Sequence, residues 1–525
     1  MTAILDEKER NVVPRWRDFQ TTVELRELSS AVTNRQSPTE ASERRVETQQ
    51  LAFTSNRNIS FAGDLISAAL VSGNSAVAKD AAEFVLHEGI ETSGDALFTL
   101  AKRILGNAAL PIFDLTETPS KENLRNTASR ISDIRHSLRE IPNDAVQWMD
   151  LAFLFAINGK NPKAERAVRV ALTLAPTNRF ILRSSARFFL HLHDFQAAHK
   201  ILRRSPNLYS DPWVAAAEVS VATAAGYPPF SVKEGRELMT AGNFSNHDLS
   251  ELASALGTLE FHSGATGKAR KWVRTSLQAP NENSLAQAKW ISRAIVGIPM
   301  DVNVTDYVVP RPYEASALEK FVTGDWSAAY KCALSWFDDQ PFSARSSQFA
   351  SYIAGSLMED HWSSEAVIKK ALVSSPDDFG LNANLAFDYA STGRLEDAKS
   401  QLAKIKLLDG PEWSQALISG NYGLVAYQEG DIAAGRFFYT EAALSAEKLS
   451  DKRTLVSALS YFARAEMDHD LGAAGKLLQR AEETAKNVPG ADIVRILGLV
   501  KEKRERIIRK SSLFPSLETR VNPRA

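Results

Sequence analysis

The stretch Ala145–Asn178 reads AVQWMDLAFLFAINGKNPKAERAVRVALTLAPTN, and its pattern decides the fold. Apolar residues recur at three- and four-residue spacing on both sides of Gly159, which predicts two amphipathic helices joined by a tight turn. Small Ala152 and Ala164 let the two helices approach closely, and bulky Trp148 is expected to fill the space between them. We therefore predict a helical hairpin that packs through small residues.

This unit resembles the 34-residue tetratricopeptide repeat, whose pattern has a bulky aromatic residue, a Leu-Gly pair, a Tyr, a turn Gly, two Ala and a closing Pro. Here Ala152 replaces the usual Gly, Phe155 replaces the Tyr, and Pro176 closes the second helix. Further copies begin near Arg179, Ser210, Ser250, Pro310, Arg345, Phe379, Ala416 and Lys452. The resemblance covers roughly residues 145–487 and implies an all-α fold, an α-solenoid superhelix of stacked antiparallel helix hairpins.

Composition shifts along the chain predict six segments. They are a partly ordered N-terminal leader (1–57), a helical segment with a degenerate repeat and a linker (58–120), the first half of the repeats (121–300), an extended loop (301–312), the second half of the repeats (313–490), and a C-terminal capping helix with a tail (491–525). Within the leader, Trp16–Leu28 has two interpretations. It is either a sticky piece of a loose leader, helical if ordered, or an arm that binds a partner or fills the protein's own groove.

Charge and cysteine content exclude several classes of protein. Among 525 residues, 62 Lys and Arg stand against 63 Asp and Glu, which excludes a globally basic, histone-like binder and a strongly acidic chain. A single cysteine, Cys332, excludes internal disulfides and cysteine-rich metal clusters. The sequence shows neither a secretory signal pattern nor an apolar run of about 18 residues, the length of a membrane span. We expect a cytoplasmic protein without a membrane partner.

The motifs of common catalytic sites are missing from the sequence. It contains no phosphate-binding G-x-x-x-x-G-K-[ST] loop, no H-E-x-x-H zinc motif, no G-x-S-x-G elbow and no C-x-x-C pair. His191 and His193 are two residues apart, so on a helix they point in different directions and do not share a metal. We therefore predict that the chain is not an enzyme and needs no cofactor or metal.

One candidate binding surface is basic. The stretch from Lys160 to Arg204 contains ten Lys or Arg and two acids. Within it, Arg183, Arg187 and His191 follow one another at four-residue intervals and share one helix face. In the register of the family this face borders the groove, which predicts a site for an acidic peptide, a carboxylate or a phosphate. The alternative interpretation is a solvated basic face.

A second candidate surface comes from the resemblance. Asn384 and Asn421 occupy the sixth place of the first helix in their repeats, and peptide-binding members of the family use such amides to clamp a ligand backbone. Ordinary polar surface is the alternative. The family's carboxylate clamp is not predicted, because Met149, Phe153 and Gly380 occupy the matching places.

These features predict a non-catalytic scaffold or adaptor that binds partner proteins or peptides, of acidic character, through the concave groove. Two alternatives remain open at this stage. One is a nucleic-acid-associated or anion-sensing regulator that uses the basic patch 160–204, whose binding would fall steeply with salt. The other is a regulatory subunit of a separate enzyme. The sequence does not predict an oligomeric state.

Overall fold

The computed structural model describes residues 10–17, 40–72, 74–88, 96–106, 127–140, 142–242, 244, 246–294, 302–309, 311–405 and 414–513. Within these ranges the regular structure is helical and contains no β-strand, which confirms the predicted all-α class. The described residues fall into two compact units: the N-terminal unit ends at Ala315 and the C-terminal unit begins at Ser316. This boundary lies three residues beyond the predicted loop 301–312.

The helices of the N-terminal unit follow the repeat pattern. They are α1 Glu40–Ser55, α2 Ile59–Ser72, α3 Ser75–Glu88, α4 Ala96–Ile104, α5 Thr127–Glu140, α6 Ala145–Ile157, α7 Asn161–Leu174, α8 Arg179–His191, α9 Phe195–Arg203, α10 Pro212–Ala225, α11 Val232–Thr240, α12 Ser250–His262, α13 Thr266–Ser276 and α14 Glu282–Ala294. A 3₁₀ turn, Val304–Asp306, lies in the predicted loop, whose first residue and Pro310 fall outside the described ranges. Helix α15, Tyr313–Thr323, begins at the end of this unit.

The C-terminal unit continues the series. Its helices are α16 Trp326–Asp339, α17 Ala344–Tyr352, α18 His361–Ala371, α19 Phe379–Ser391, α20 Leu395–Ile405, α21 Ser414–Glu429, α22 Ile432–Lys448, α23 Lys452–Glu466, α24 Leu471–Ala485 and α25 Ala491–Leu513. One irregularity interrupts it. A π-helical turn, Ile353–Leu357, extends α17, in the repeat that begins near Arg345.

Consecutive helices pack as hairpins, among them α6 with α7, α12 with α13, and α19 with α20. A residue with positive φ lies in the turn of each of these hairpins, as at Gly159 (67°) and Gly393 (78°). Glycine adopts this left-handed conformation without strain, which explains the turn glycine of the repeat pattern. The α8–α9 hairpin lacks that glycine, and His193 takes the same conformation at φ 58°.

The small residues of the first clear repeat are buried as predicted, since Ala152, Ala164 and Ala171 have no exposed surface. The prediction for Trp148 is wrong in part: its ring is only half-buried, and its Nε1 donates to the Pro142 carbonyl at 2.8 Å. Met149, the next residue, is the side chain that is fully buried. An indole at the edge of a hairpin can satisfy its N–H, which a fully enclosed ring achieves less easily.

Several predicted segments lie wholly or partly outside the described residues. The linker expected at 107–120 is one of them, and the tail is described only as far as Leu513, the last residue of α25. Of the leader piece Trp16–Leu28, the structure describes Trp16 and Arg17. These two residues belong to a non-helical segment, so the expected helix does not begin at Trp16.

Candidate functional site

Residues 10–17, with the sequence RNVVPRWR, form a non-helical segment that is buried within the N-terminal unit; we call it the arm. Trp16 is 0% exposed and Val12 1%, values typical of a protein core. Pro14 suits such a segment because it fixes φ and carries no N–H that would need a partner. The leader therefore contributes an arm that fills a groove of its own chain.

Trp16 inserts between two phenylalanines on the first helices of consecutive hairpins. Its ring meets Phe153 of α6 edge-on, with centroids 5.3 Å apart, and Phe188 of α8 edge-on at 5.8 Å. Phe153 is the ninth residue of α6 and Phe188 the tenth residue of α8, so the two rings come from neighbouring, not identical, places in two successive first helices. Edge-to-face aromatic contacts add about 0.5–1.5 kcal/mol each beyond the apolar area they bury.

Arg10 anchors the other end of the arm. Its Nε donates to Glu314 Oε1 at 2.8 Å and its Nη2 to Glu314 Oε2 at 2.9 Å, which is a bidentate ion pair. The same guanidinium donates to the side-chain oxygens of Gln287 and, at 3.1 Å, of Asn283. A buried charge is tolerated only when it is paired and hydrogen-bonded, and both conditions are met here.

Two further arginines of the arm meet carboxylates. Arg15 Nη2 lies 2.6 Å from Glu314 Oε2, and Arg17 Nη1 lies 2.5 Å from Glu282 Oε1 at the start of α14. Burial alone would raise the pKa of Glu282, but the positive charges of Arg17 and Arg15 outweigh it and hold that pKa at about 2. Glu282 is therefore ionised at neutral pH while the arm is in place.

Helix α14 also holds the backbone of the arm. Asn283 Nδ2 donates to the Val13 carbonyl at 3.0 Å, and Gln287 Nε2 donates to the Arg10 carbonyl at 2.8 Å. The two amides are four residues apart and share one helix face. Such bonds to backbone carbonyls hold a peptide whatever its side chains are. This is the chemistry that the sequence analysis assigned to Asn384 and Asn421.

The arm thus lies in a groove formed by the first helices of the unit. We call this surface the arm groove and define it by six residues that contact residues 10–17: Phe153 of α6, Phe188 of α8, Glu282, Asn283 and Gln287 of α14, and Glu314 of α15. Three arginines face two carboxylates across it, so the groove itself is anionic.

The predicted column Arg183, Arg187 and His191 borders this network. Arg183 forms an ion pair with the buried Glu251 of α12, and its guanidinium lies 4.9 Å from the centre of the Trp213 ring. Glu251 in turn accepts from Asn283 at 3.3 Å. The charge of Arg183 is therefore compensated inside the protein rather than presented to a partner. Arg187 and His191 are half-buried on the same helix, and a partner contact there stays a prediction.

The basic patch 160–204 is also less uncompensated than its sequence indicates. Arg179 pairs with Asp211 at 2.8 Å and Arg169 with Glu165 at 2.6 Å. Asp211, like Glu251, lies outside the patch in sequence, so counting acids within the patch overestimated its charge. Seven basic residues of the patch are exposed: Lys160, Lys163, Arg166, Arg169, Lys200, Arg203 and Arg204.

Asn384 and Asn421 do not line an exposed surface. Both are 0% exposed; Asn384 Nδ2 donates to Ser351 Oγ and Asn421 Nδ2 to the Ala383 carbonyl, each at 3.0 Å. These bonds join α17 to α19 and α19 to α21. The expectation of a ligand clamp fails because both amides lie inside the packing between first helices, where they hold adjacent repeats together.

A cavity of about 210 Å³ lies in the C-terminal unit. Aromatic side chains form much of its wall: Phe387, Tyr427, Tyr439 and Tyr461. The charged groups around it are paired with one another, Arg464 with Glu359 and Lys503 with Asp468. This compensation leaves the cavity without a net charge that would select an ionic ligand.

The π-helical turn forms one side of this cavity. There Gly355 leaves space for the Asp388 carboxylate, since a Cβ on Gly355 would come within 2.7 Å of Asp388 Oδ1. Burial raises the pKa of Asp388, although His361 Nδ1 lies 2.8 Å from the same oxygen. Single-turn π segments occur often at functional sites, but this one is explained by the close packing of a buried carboxylate.

Two other kinds of site are absent from the described part of the chain. Among the residues that the structure describes, no group of three or more His, Cys, Asp or Glu side chains is arranged to hold a metal ion. In the same part of the chain, no helix combines the length and the apolar character that crossing a bilayer requires.

Comparison with known proteins adds matches to solved structures alone, since no family model and no curated protein matches the chain. Yeast Tom70 is 13% identical and has a TM-score of 0.30, covering 80% of this chain and 99% of that chain. The human IFIT1 dimer with PPP-AAAA is 13% identical with a TM-score of 0.32, covering 91% and 96%. The APC/C hetero-tetramer Cut9-Hcn1 is 11% identical with a TM-score of 0.34, covering 91% and 96%.

The chain is an all-α helical-repeat protein. This assignment rests on the hairpins described above, because matches at these scores carry no argument about what the chain binds. In this helical-repeat protein, sequence reasoning missed Glu282, Asn283, Gln287 and Glu314. One signal was available: Asn283 and Gln287 are two amides at four-residue spacing at the start of a helix.

Proposed function

We propose that this chain is a non-catalytic scaffold or adaptor and that the arm groove is the surface on which it binds segments of partner proteins. One observation carries the proposal: a non-helical peptide, residues 10–17, is held in the groove through its backbone and its side chains. Amide bonds to carbonyls supply affinity that does not depend on sequence, and pockets for alternate side chains supply specificity. A surface with both features is suited to peptide recognition.

The chemistry of the groove supports binding rather than catalysis. A general base works best when its pKa is near the working pH, and the pKa of Glu282 is held at about 2. The amides of Asn283 and Gln287 do not titrate, and the Glu314 carboxylate is engaged in ion pairs with Arg10 and Arg15. These groups position a chain, and none of them is poised to transfer a proton.

Site-specific crosslinking in the native cell tests this proposal without disturbing the core. A photo-reactive residue would replace Arg187, half-buried and adjacent to Phe188 on α8. A matched control would replace Arg203, which is exposed on the second helix α9. Crosslinks to a distinct partner protein from position 187 but not from 203 are expected. Equal products from both positions, or products from 203 alone, would remove the groove as the binding surface.

A second candidate function rests on the exposed basic residues of α9 and its neighbourhood, including Lys200, Arg203 and Arg204. These side chains could contact a nucleic-acid backbone, and that affinity would fall steeply as salt rises. Replacing Arg203 and Arg204 with Glu would then weaken nucleic-acid binding and leave peptide binding in the arm groove unchanged. A salt titration of the two variants separates the two functions.

A further inference from the structure

Resting on the proposed function, we infer the class of partner that the arm groove takes: a non-helical segment that carries arginines around a central aromatic residue. We infer also that residues 10–17 are a competitor within the chain, which such a partner must displace. The arm supplies the pattern R-x-x-x-x-R-W-R, from Arg10 to Arg17.

The charge of the arm groove determines which class of ligand it favours. When the arm leaves, Glu282 and Glu314 lose Arg10, Arg15 and Arg17, the arginines that pair with them in the structure. Buried carboxylates that lose their ion pairs are strongly destabilised, so the empty groove favours a ligand that restores positive charge. An acidic segment, which the sequence analysis expected, would add like charge to the same place.

Arg183 does not reverse this preference. Its positive charge is paired with Glu251, whose side chain is 4% exposed and belongs to the protein whether the arm is present or absent. The pair contributes no net charge to the groove. The groove therefore discriminates against anionic ligands even though a basic helix lies beside it.

The positions of the contacts along the arm restrict the class of ligand further. The edge-on contacts with Phe153 and Phe188 form one aromatic pocket, and the arginine contacts lie immediately beside it and six residues before it. Between Arg10 and Arg15, Asn283 holds the Val13 carbonyl, a contact that any residue provides, while the Val12 side chain is buried at 1% exposure. The spacing of the anchors is thus specified, and an apolar residue is favoured at the position of Val12.

The arm competes with a partner segment because it is covalently attached to the chain that carries the groove. Only 22 residues separate Arg17 from the start of α1 at Glu40, so the arm stays close to its groove. Tethering on this scale gives an effective concentration on the order of millimolar. A partner segment in solution meets a groove that is already occupied, and any change that weakens the arm increases the apparent affinity for that partner.

The test uses the full-length chain and a fluorescent peptide of residues 8–19, KERNVVPRWRDF, followed by anisotropy. Trp16→Ala removes the aromatic anchor of the arm in the protein but not in the peptide. We expect this variant to bind the peptide at least tenfold more tightly than the wild-type chain does. A control peptide with the three arginines replaced by glutamate should bind at least tenfold more weakly.

Each outcome decides a separate point. Equal affinity of the wild-type chain and Trp16→Ala for the peptide overturns the competition, and a preference for the glutamate peptide overturns the ligand class. If circular dichroism shows that Trp16→Ala does not fold, Arg17→Ala replaces it under the same criteria, because it leaves the aromatic anchor in place. Crosslinks from position 187 can appear whichever of these results is obtained. The crosslinking experiment therefore tests the proposed function separately from the competition and from the ligand class.

Discussion

Arg10 and Glu314 form a bidentate ion pair with side chains only 4% and 5% exposed, although 304 residues separate them in sequence. A pair of this kind is costly to assemble in a core and more costly to break by removing one partner. This ion pair therefore joins the arm to Glu314, near the end of the N-terminal unit.

Glu314→Gln should lower the free energy of unfolding by about 3–5 kcal/mol, because it leaves Arg10 and Arg15 buried near a neutral amide. Arg10→Met alone should also destabilise, since it removes the bidentate partner of Glu314 and leaves Arg15 as the remaining arginine of the arm that pairs with it. Combining the two should cost less than the sum of the single losses. Chemical denaturation of the four proteins gives this coupling, and strict additivity would show that the pair does not form in solution.

Trp16→Ala should cost about 3–5 kcal/mol, the usual loss when a buried indole leaves a cavity. The matched control is Trp148→Ala, which removes the same side chain from a half-buried position and should cost clearly less. Thermal unfolding followed by circular dichroism measures both. An equal or larger loss for Trp148→Ala would mean that Trp16 is not enclosed by Phe153 and Phe188.

The contribution of Glu282 to the free energy of unfolding should depend on pH. Its pKa is lowered from 4.5 to about 2 in the folded protein, so it stabilises the fold above about pH 4.5 and loses that contribution as the pH falls towards 2. The full effect is roughly 3 kcal/mol. The stability gap between wild type and Glu282→Gln should therefore be present at pH 6 and shrink by pH 3. A gap that stays constant would show that Arg15 and Arg17 do not face this carboxylate.

Replacing two glycines of the C-terminal unit with alanine should change the free energy of unfolding in opposite directions. A Cβ at Gly423 would come within 2.7 Å of the Tyr439 ring, so Gly423→Ala should destabilise by about 1–3 kcal/mol. At Gly498, inside α25, a Cβ would meet nothing within 4 Å, and Gly498→Ala should stabilise by about 0.5–1 kcal/mol. Urea denaturation compares them, and a Gly423→Ala variant as stable as wild type or more stable would contradict the packing of α21 against α22.

The fold could be predicted because its evidence is local. The turn at Gly159, the small Ala152 and Ala164, and the recurrence of this pattern at about one repeat length all lie within short windows of sequence. Helical hairpins bury their contacts between neighbours, so each window carries most of the information about its own structure.

Of the site, the sequence offered a groove-filling arm at Trp16 as one of two interpretations, but the partners of the arm could not be predicted, because the site joins distant parts of the chain. Residues 10–17 meet residues near 282 and 314, and no periodicity shows which segment fills a groove. The same limit explains Arg183, whose partner Glu251 lies 68 residues away. Asn384 and Asn421 were predicted wrongly for another reason. An amide that holds two repeats together has the same sequence signal as one that holds a ligand.

Hydrogen–deuterium exchange on the Trp16→Ala chain tests most directly that the arm groove is a peptide site. Amides at the start of α14, around Asn283 and Gln287, should exchange faster in this variant than in wild type, while those of α23 in the C-terminal unit stay unchanged. Adding the peptide of residues 8–19 should restore the slow exchange at α14. Unchanged exchange at α14 in the variant, or no protection on adding the peptide, would contradict the account.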